Sequence, residues 1–150
     1  MKKLIVALAV ILMVGLTSAF ANKGEEINQR AIASFNSEFA SAKNVSWNQD
    51  REYFRASFSL NNQVLYAYYD QKGELMAVIH HILSNQLPIY LMSELKKTYK
   101  NYWITDLLEM ASNEQSNYYV SLDNADETLV LKSDGTNHWT VYKRIKKNIV

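Results

Sequence analysis

REYFRASFSLNNQVLYAYYDQKGELMAVIHHI, residues 51–82, is the stretch from which the fold can be read. Its first ten residues alternate: Phe54, Ala56, Phe58 and Leu60 fall on one side, and Tyr53, Arg55, Ser57 and Ser59 on the other. A period of two with one apolar side is the mark of a half-buried strand. Asn61-Asn62 follows, and asparagine accepts the positive φ angles of a two-residue hairpin loop better than other side-chain-bearing residues. With those two as the loop, Phe58 faces Leu65, Ala56 faces Ala67 and Phe54 faces Tyr69, so the apolar sets of both strands share a side. Asp70-Gln71-Lys72-Gly73-Glu74 reads as a three-residue loop with glycine in the left-handed position. It sets Tyr69 against Leu75, Ala67 against Ala77 and Leu65 against Ile79.

The other side of this meander carries Tyr53, Arg55, Ser57, Tyr66, Tyr68, Met76, Val78 and His80. That set is too aromatic for a plain solvated surface and too rich in hydroxyls and charge for ordinary core. Tyrosine and arginine are the residue types enriched at protein interfaces. Tyr53, Arg55, Tyr66, Tyr68, Met76 and His80 are therefore the expected contacts of a binding face. Two other accounts stand beside this one: tyrosines pairing across strands because they suit a pleated surface, and a dimer contact or the chain's own loops covering the face.

Upstream, Ile27, Ala31, Ile32, Phe35 and Phe39 recur at helical spacing, with Glu25 and Glu26 favouring the start of a helix over 25–42. Downstream, Leu87-Pro88 opens a second helical pattern through Leu91, Met92, Leu95 and Tyr99, ending on Lys96, Lys97 and Lys100. Strand patterns follow at 103–110, 118–123, 128–132 and 138–145, with Asp134-Gly135 marking the last turn. Segment by segment the halves correspond: FASAKNVSW with TYKNYWITDL, EYFRASF with NYYVSL, DQKGELMAVIHHI with SDGTNHWTVYKRI. The offset of roughly 60 to 65 residues indicates a tandem duplication. The expected class is α+β, a repeated helix plus antiparallel meander, with repeats at about 22–84 and 85–150 forming a single domain.

The first segment has Lys2 and Lys3, an apolar run from Leu4 to Leu16, and small residues ending at Ala21. This is the layout of a secretory signal peptide over 1–21, with cleavage after Ala21. The run is shorter than the roughly 20 residues a bilayer span needs, so no membrane span is expected once the leader is removed. Export to the periplasm or beyond is the expected address. The chain contains Cys 0, so thiolate metal sites, cysteine nucleophiles and disulfides are excluded. Lys+Arg 16 against Asp+Glu 15 supplies no charge that would draw nucleic acid.

The leader, FASAKNVSW ahead of a strand pair, YAYYDQKGEL, LP opening a second helix and YKNYWITDL after it resemble the secreted PepSY-like family, also described as beta-lactamase-inhibitor-like. The resemblance spans the mature chain. It implies two repeats of helix plus antiparallel strands joined in one sheet with both helices on one face, and it implies no activity. That family's pattern usually has a proline where Ala40-Ser41 stands and glycine where Asn61-Asn62 stands.

Chemistry finds little support. His80 and His81 are strand neighbours pointing to opposite sides, unable to clamp one ion together. Asp123 to Glu127 is acidic but lacks calcium-loop spacing. Asp106, Glu109 and Glu74 have no evident partner across a cleft, and no nucleophile motif or phosphate loop is present. The expectation is a non-enzyme with no cofactor and no metal, binding a protein or extended peptide in the cell envelope. A self-associating envelope protein, as a homodimer, is the alternative, and a small-ligand carrier or hydrolase is less favoured.

Overall fold

The computed structural model describes residues 28–112, 115–136 and 138–147. The expected leader, residues 1–21, and Glu25, Glu26 and Ile27 lie outside them. Two helices, α1 (Gln29–Glu38) and α2 (Ile89–Thr98), accompany one antiparallel sheet of eight strands hydrogen-bonded in chain order. The strands are β1 (Lys43–Gln49), β2 (Phe54–Leu60), β3 (Gln63–Tyr69), β4 (Leu75–His81), β5 (Trp103–Ala111), β6 (Ser116–Asp123), β7 (Glu127–Ser133) and β8 (Thr140–Lys146). The class is α+β, in two helix-plus-four-strand halves. By compactness the chain forms two units: the first reaches Asn62 and includes Tyr66–Ala77, and the second comprises Gln63–Leu65 and Val78 onward.

In the first unit α1 begins later than its apolar period suggests. Asn28 caps it, its Oδ1 accepting the Arg30 N–H at 2.9 Å, and no acid stands in the first turn. Ala31 and Phe35, one turn apart, are buried, while Ile32 and Phe39 are half-buried. Phe35 meets Phe58 edge-on at 4.9 Å and Trp47 at 5.5 Å, Phe39 lies 4.8 Å from Phe58, and Trp47 lies 5.7 Å from Tyr69. This is an aromatic core, and each such pair adds about 1 kcal/mol beyond the area it buries. Phe54, Ala56 and Phe58 on β2 and Ala67 and Tyr69 on β3 are buried, as their alternation requires.

Asn61 (φ 50°) and Asn62 (φ 62°) both take the left-handed conformation of the two-residue hairpin loop. At the next loop Gly73 (φ 83°) donates to the Asp70 carbonyl at 3.0 Å, and Asp70 N–H donates to the Glu74 carbonyl at 3.0 Å. This loop docks on the start of α1: Asn28 Nδ2 donates to the Gln71 carbonyl at 2.8 Å. Gly73 sits so close that a Cβ there would lie 2.7 Å from the Ala31 nitrogen.

One strand escaped the sequence reading. β1 is an edge strand whose Lys43, Asn44, Val45, Ser46 and Asn48 are all exposed. It pairs with β2 through an irregularity between Lys43 and Ser46, next to Asn44 at φ 54°. Only Val45 and Trp47 alternate with polar neighbours, a run too short to stand out as a period-two signal. The duplication was the available signal, because its counterpart β5 is richer in apolar residues, with Leu107, Leu108 and Met110 buried.

The second unit repeats the order with aliphatic packing. Pro88 caps α2 without a side-chain bond, and Leu91 and Leu95 take the buried places that Ala31 and Phe35 hold in α1. They pack with Leu107, Val120, Leu122, Leu129, Leu131 and Trp139. Trp139, expected within a strand, precedes β8. Its Nε1 donates to the Leu91 carbonyl at 3.0 Å and its N–H to Glu94 Oε2 at 3.2 Å, so the last loop is fastened to α2. Tyr90 OH adds a bond to the Gly135 carbonyl at 2.6 Å. From Gln29 to Ile89 the shift is 60 residues, and from Leu75 to Thr140 it is 65. No described helix is long and apolar enough to cross a membrane.

Candidate binding face

The pleat that sends Phe54, Ala56 and Phe58 into the first unit's core sends Arg55 and Ser57 to the opposite side, together with Tyr66 and Tyr68 of β3. Tyr53 stands just before β2, where its carbonyl accepts the Asp50 N–H at 2.9 Å. The Tyr53 and Tyr68 rings meet edge-on, centroids 5.4 Å apart. The Arg55 guanidinium carbon lies 5.7 Å from the Tyr66 ring centroid. Met76 is half-buried on β4, and the glycine loop sets it opposite Tyr68. The structure thus gathers Tyr53, Arg55, Tyr66 and Tyr68 within one unit.

Their exposure differs from a uniform outward surface. Tyr53, Arg55 and Tyr66 are half-buried, whereas Tyr68 is only 2% exposed. Tyr68 is therefore the floor beneath the face, held by Tyr53 and the β2 neighbours. Period-two reasoning assigns a side to each residue but not the depth of cover over it. Burial pushes the Tyr68 hydroxyl up to about 12, opposed by the nearby Arg55 charge. Tyr53 is also raised, by burial first and then by Asp50. Both phenols are thus neutral donors at physiological pH, beside a permanently charged guanidinium.

His80 belongs to the second unit. Its Nε2 lies 3.6 Å from Glu109 Oε2 across β4 and β5, and the strand register sets the two residues opposite each other. His81 points the other way, its Nδ1 2.8 Å from Asp106 Oδ1. Asp106 and Glu109 thus each have an imidazole partner that the sequence did not disclose, since only the β4–β5 register creates these contacts. Among the described residues no three His, Asp or Glu side chains gather as metal ligands. No catalytic constellation is evident there either.

The acidic segment 123–127 is a structural turn. Asn124 Oδ1 accepts the N–H groups of Asp126 at 2.9 Å and Glu127 at 2.8 Å. Glu127 accepts from Tyr102 OH at 2.6 Å and from Arg144 at 2.6 Å, and Asp123 receives Lys147 at 3.0 Å. Sequence reasoning also passed over Trp103, 57% exposed with the Lys147 ammonium 5.9 Å from its ring.

No family model and no curated protein sequence matches the chain. Solved structures do. A DUF2874 family protein of Bacteroides uniformis superposes with a TM-score of 0.72 at 13% identity, covering 81% of this chain and 90% of its own. A BLIP-like protein of Bacteroides fragilis gives 0.71 at 11% identity, covering 85% and 92%. A candidate periplasmic protein of Bacteroides eggerthii gives 0.71 at 10% identity, covering 81% and 90%. The likeness expected from the sequence is thus met at the level of the fold: this chain has the architecture of the DUF2874 and beta-lactamase-inhibitor-like (BLIP-like) Bacteroides proteins.

Proposed function

We propose that this chain is an exported, non-catalytic binding module that engages an envelope protein or an extended peptide through the Tyr53–Arg55–Tyr66 face of its first unit. Met76 flanks that face and Tyr68 holds it from below. His80 is a contact of the second unit in its own right. The observation that carries the reading is the ordered aromatic and guanidinium cluster, in which large, stiff side chains are already immobilised. A face built this way loses little side-chain entropy when a partner lands on it, and tyrosine and arginine are the residues on which binding energy concentrates. Export rests on the leader pattern at 1–21 and agrees with the description of the Bacteroides eggerthii protein. The BLIP-like name of the Bacteroides fragilis protein favours a role in restraining an envelope enzyme, which is an argument from fold analogy.

The test places a photo-crosslinking amino acid at position 57, on the same side but not among the proposed contacts, and exposes the chain to its own envelope extract. A discrete adduct, competed by the unlabelled chain and not by a Tyr66→Ser variant that stays folded at the assay temperature, supports the reading. Absence of any competed adduct overturns it. A second reading, in which the same face is buried in a homodimer, is decided by light scattering. A dimer at micromolar concentration supports it, and a monomer removes it.

A further inference from the structure

Arg55 is electrostatically incomplete. Its guanidinium is half-buried among Tyr53, Tyr66 and Tyr68, and its Nε is buried with no hydrogen-bond partner. Among the described residues no carboxylate lies within ion-pair distance of it, although ion pairs form elsewhere, at Arg144–Glu127 and Lys147–Asp123. Asp50, the nearest of the acids, stands by the Tyr53 hydroxyl and forms no ion pair with Arg55. Across β1 and β2 the residue opposite Arg55 is Asn48, a neutral amide. A guanidinium cannot shed its charge, and a charge held partly out of water without a counter-charge is unfavourable.

We propose that Arg55 is the receptor for an aspartate or glutamate side chain of the partner protein, bound as a two-pronged ion pair on a tyrosine-walled seat. This rests on the binding-face reading and adds the chemistry of what lands there. The guanidinium fork matches a carboxylate in geometry, and a charge-assisted pair is about twice as strong as a neutral hydrogen bond. The Tyr66 ring centroid lies 5.7 Å from the guanidinium carbon, within cation–π reach, and with Nε buried the terminal nitrogens are the ones that meet the incoming oxygens. The Tyr53 hydroxyl, a neutral donor, stands on the same side. The carboxylate supplies a counter-charge at ion-pair distance, which none of the described acids gives Arg55.

The experiment titrates the full chain, labelled for detection of arginine side-chain N–H resonances, with a pair of amide-capped peptides. The two are identical except for a central glutamate or glutamine beside a phenylalanine. The proposal expects the Arg55 Nε–H resonance to shift saturably with the glutamate peptide and about tenfold more weakly with the glutamine peptide. Arg55→Gln should abolish the difference, and Arg55→Lys should restore only part of it because an ammonium has no fork. Equal shifts with both peptides, or discrimination that survives in Arg55→Gln, would overturn it. A third peptide, with a free C-terminal carboxylate and no acidic side chain, separates chain-end capture from side-chain capture; preferred binding of that peptide refutes the stated source. Failure here is distinguishable from failure of the binding-face reading. If the position-57 adduct forms as well with Arg55→Gln as with the parent chain, the face binds by another chemistry and only the carboxylate assignment is lost.

Discussion

Replacing Gly73 by alanine is expected to destabilise the first unit far more than the same change at Gly135 destabilises the second. Both glycines sit at positive φ, 83° and 82°, so both substitutions carry the left-handed penalty of about 1–2 kcal/mol. They differ in what the new methyl meets. At position 73 it would stand 2.7 Å from the Ala31 nitrogen and from Arg30 Cβ and 2.8 Å from the Arg30 carbonyl carbon, all on the first turn of α1. At position 135 the nearest atom is the Ser116 carbonyl oxygen at 3.4 Å. Backbone cannot rotate aside as a side chain can, so relief at position 73 requires the loop to lift from the helix. That would strain or break the Asn28–Gln71 bond of 2.8 Å. Overpacking of this kind adds about 1–3 kcal/mol. The total is about 2–5 kcal/mol for Gly73→Ala against about 1–2 for Gly135→Ala. In melting temperature the first corresponds to a loss of about 10 °C or more. Urea unfolding followed by circular dichroism measures both. Equal losses would refute the reasoning, since they would mean that the loop does not rest on α1 closely enough for a methyl to matter.

Further expectations concern the tyrosines and the acidic turn. Tyr68→Ser should lose about 3 kcal/mol of stability because it empties a buried site, while Tyr66→Ser should lose about 1 kcal/mol or less; denaturant midpoints compare them, and the reverse order would contradict the floor-and-face arrangement. Tyr68 and Tyr119 are each pushed up to about 12, chiefly by burial. Raised phenols contribute stability that is complete below the unfolded value of about 10 and is lost as pH rises through the folded value. Phenolate absorbance should therefore show these two ionising late and together with alkaline unfolding, and Tyr68→Phe should remove one late proton. At the acid end, Asp123 is held below the usual carboxylate range by Thr128 and then Lys147, and Glu127 by Tyr102 and then Arg144. A depressed carboxyl stabilises above its unfolded value of about 4 and loses that contribution as pH falls through the folded one. Stability measured from neutral pH downward should fall less steeply in the Asp123→Asn, Glu127→Gln double variant.

The legible part of this fold is the part written in short-range pattern. Phe54, Ala56 and Phe58 announce a strand because neighbouring side chains point to opposite sides. Asn61-Asn62 and Asp70 to Glu74 announce their loops because few residues tolerate positive φ. Leu91 and Leu95 announce a helix by their spacing. β1 was illegible because this edge strand packs inward mainly through Trp47, and one apolar residue among exposed neighbours makes no alternation. The start of α1 was misplaced because Glu25 and Glu26 look like a first turn, whereas Asn28 offers the bond that begins it. The fate of Asp106 and Glu109 was hidden because their partners, His81 and His80, lie on another strand and meet them only through register.

For the candidate face, the sequence by itself determined which residues share a side: the alternation places Arg55, Tyr66 and Tyr68 away from Phe54 and Phe58, and a one-residue slip between the strands would break the shared apolar side. Only the tertiary structure decided how deep each one sits and what it touches. Tyr68 became a floor and Arg55 a cation without a carboxylate because cover and charge pairing depend on residues distant along the chain, brought near by hairpins whose consequences no local pattern contains.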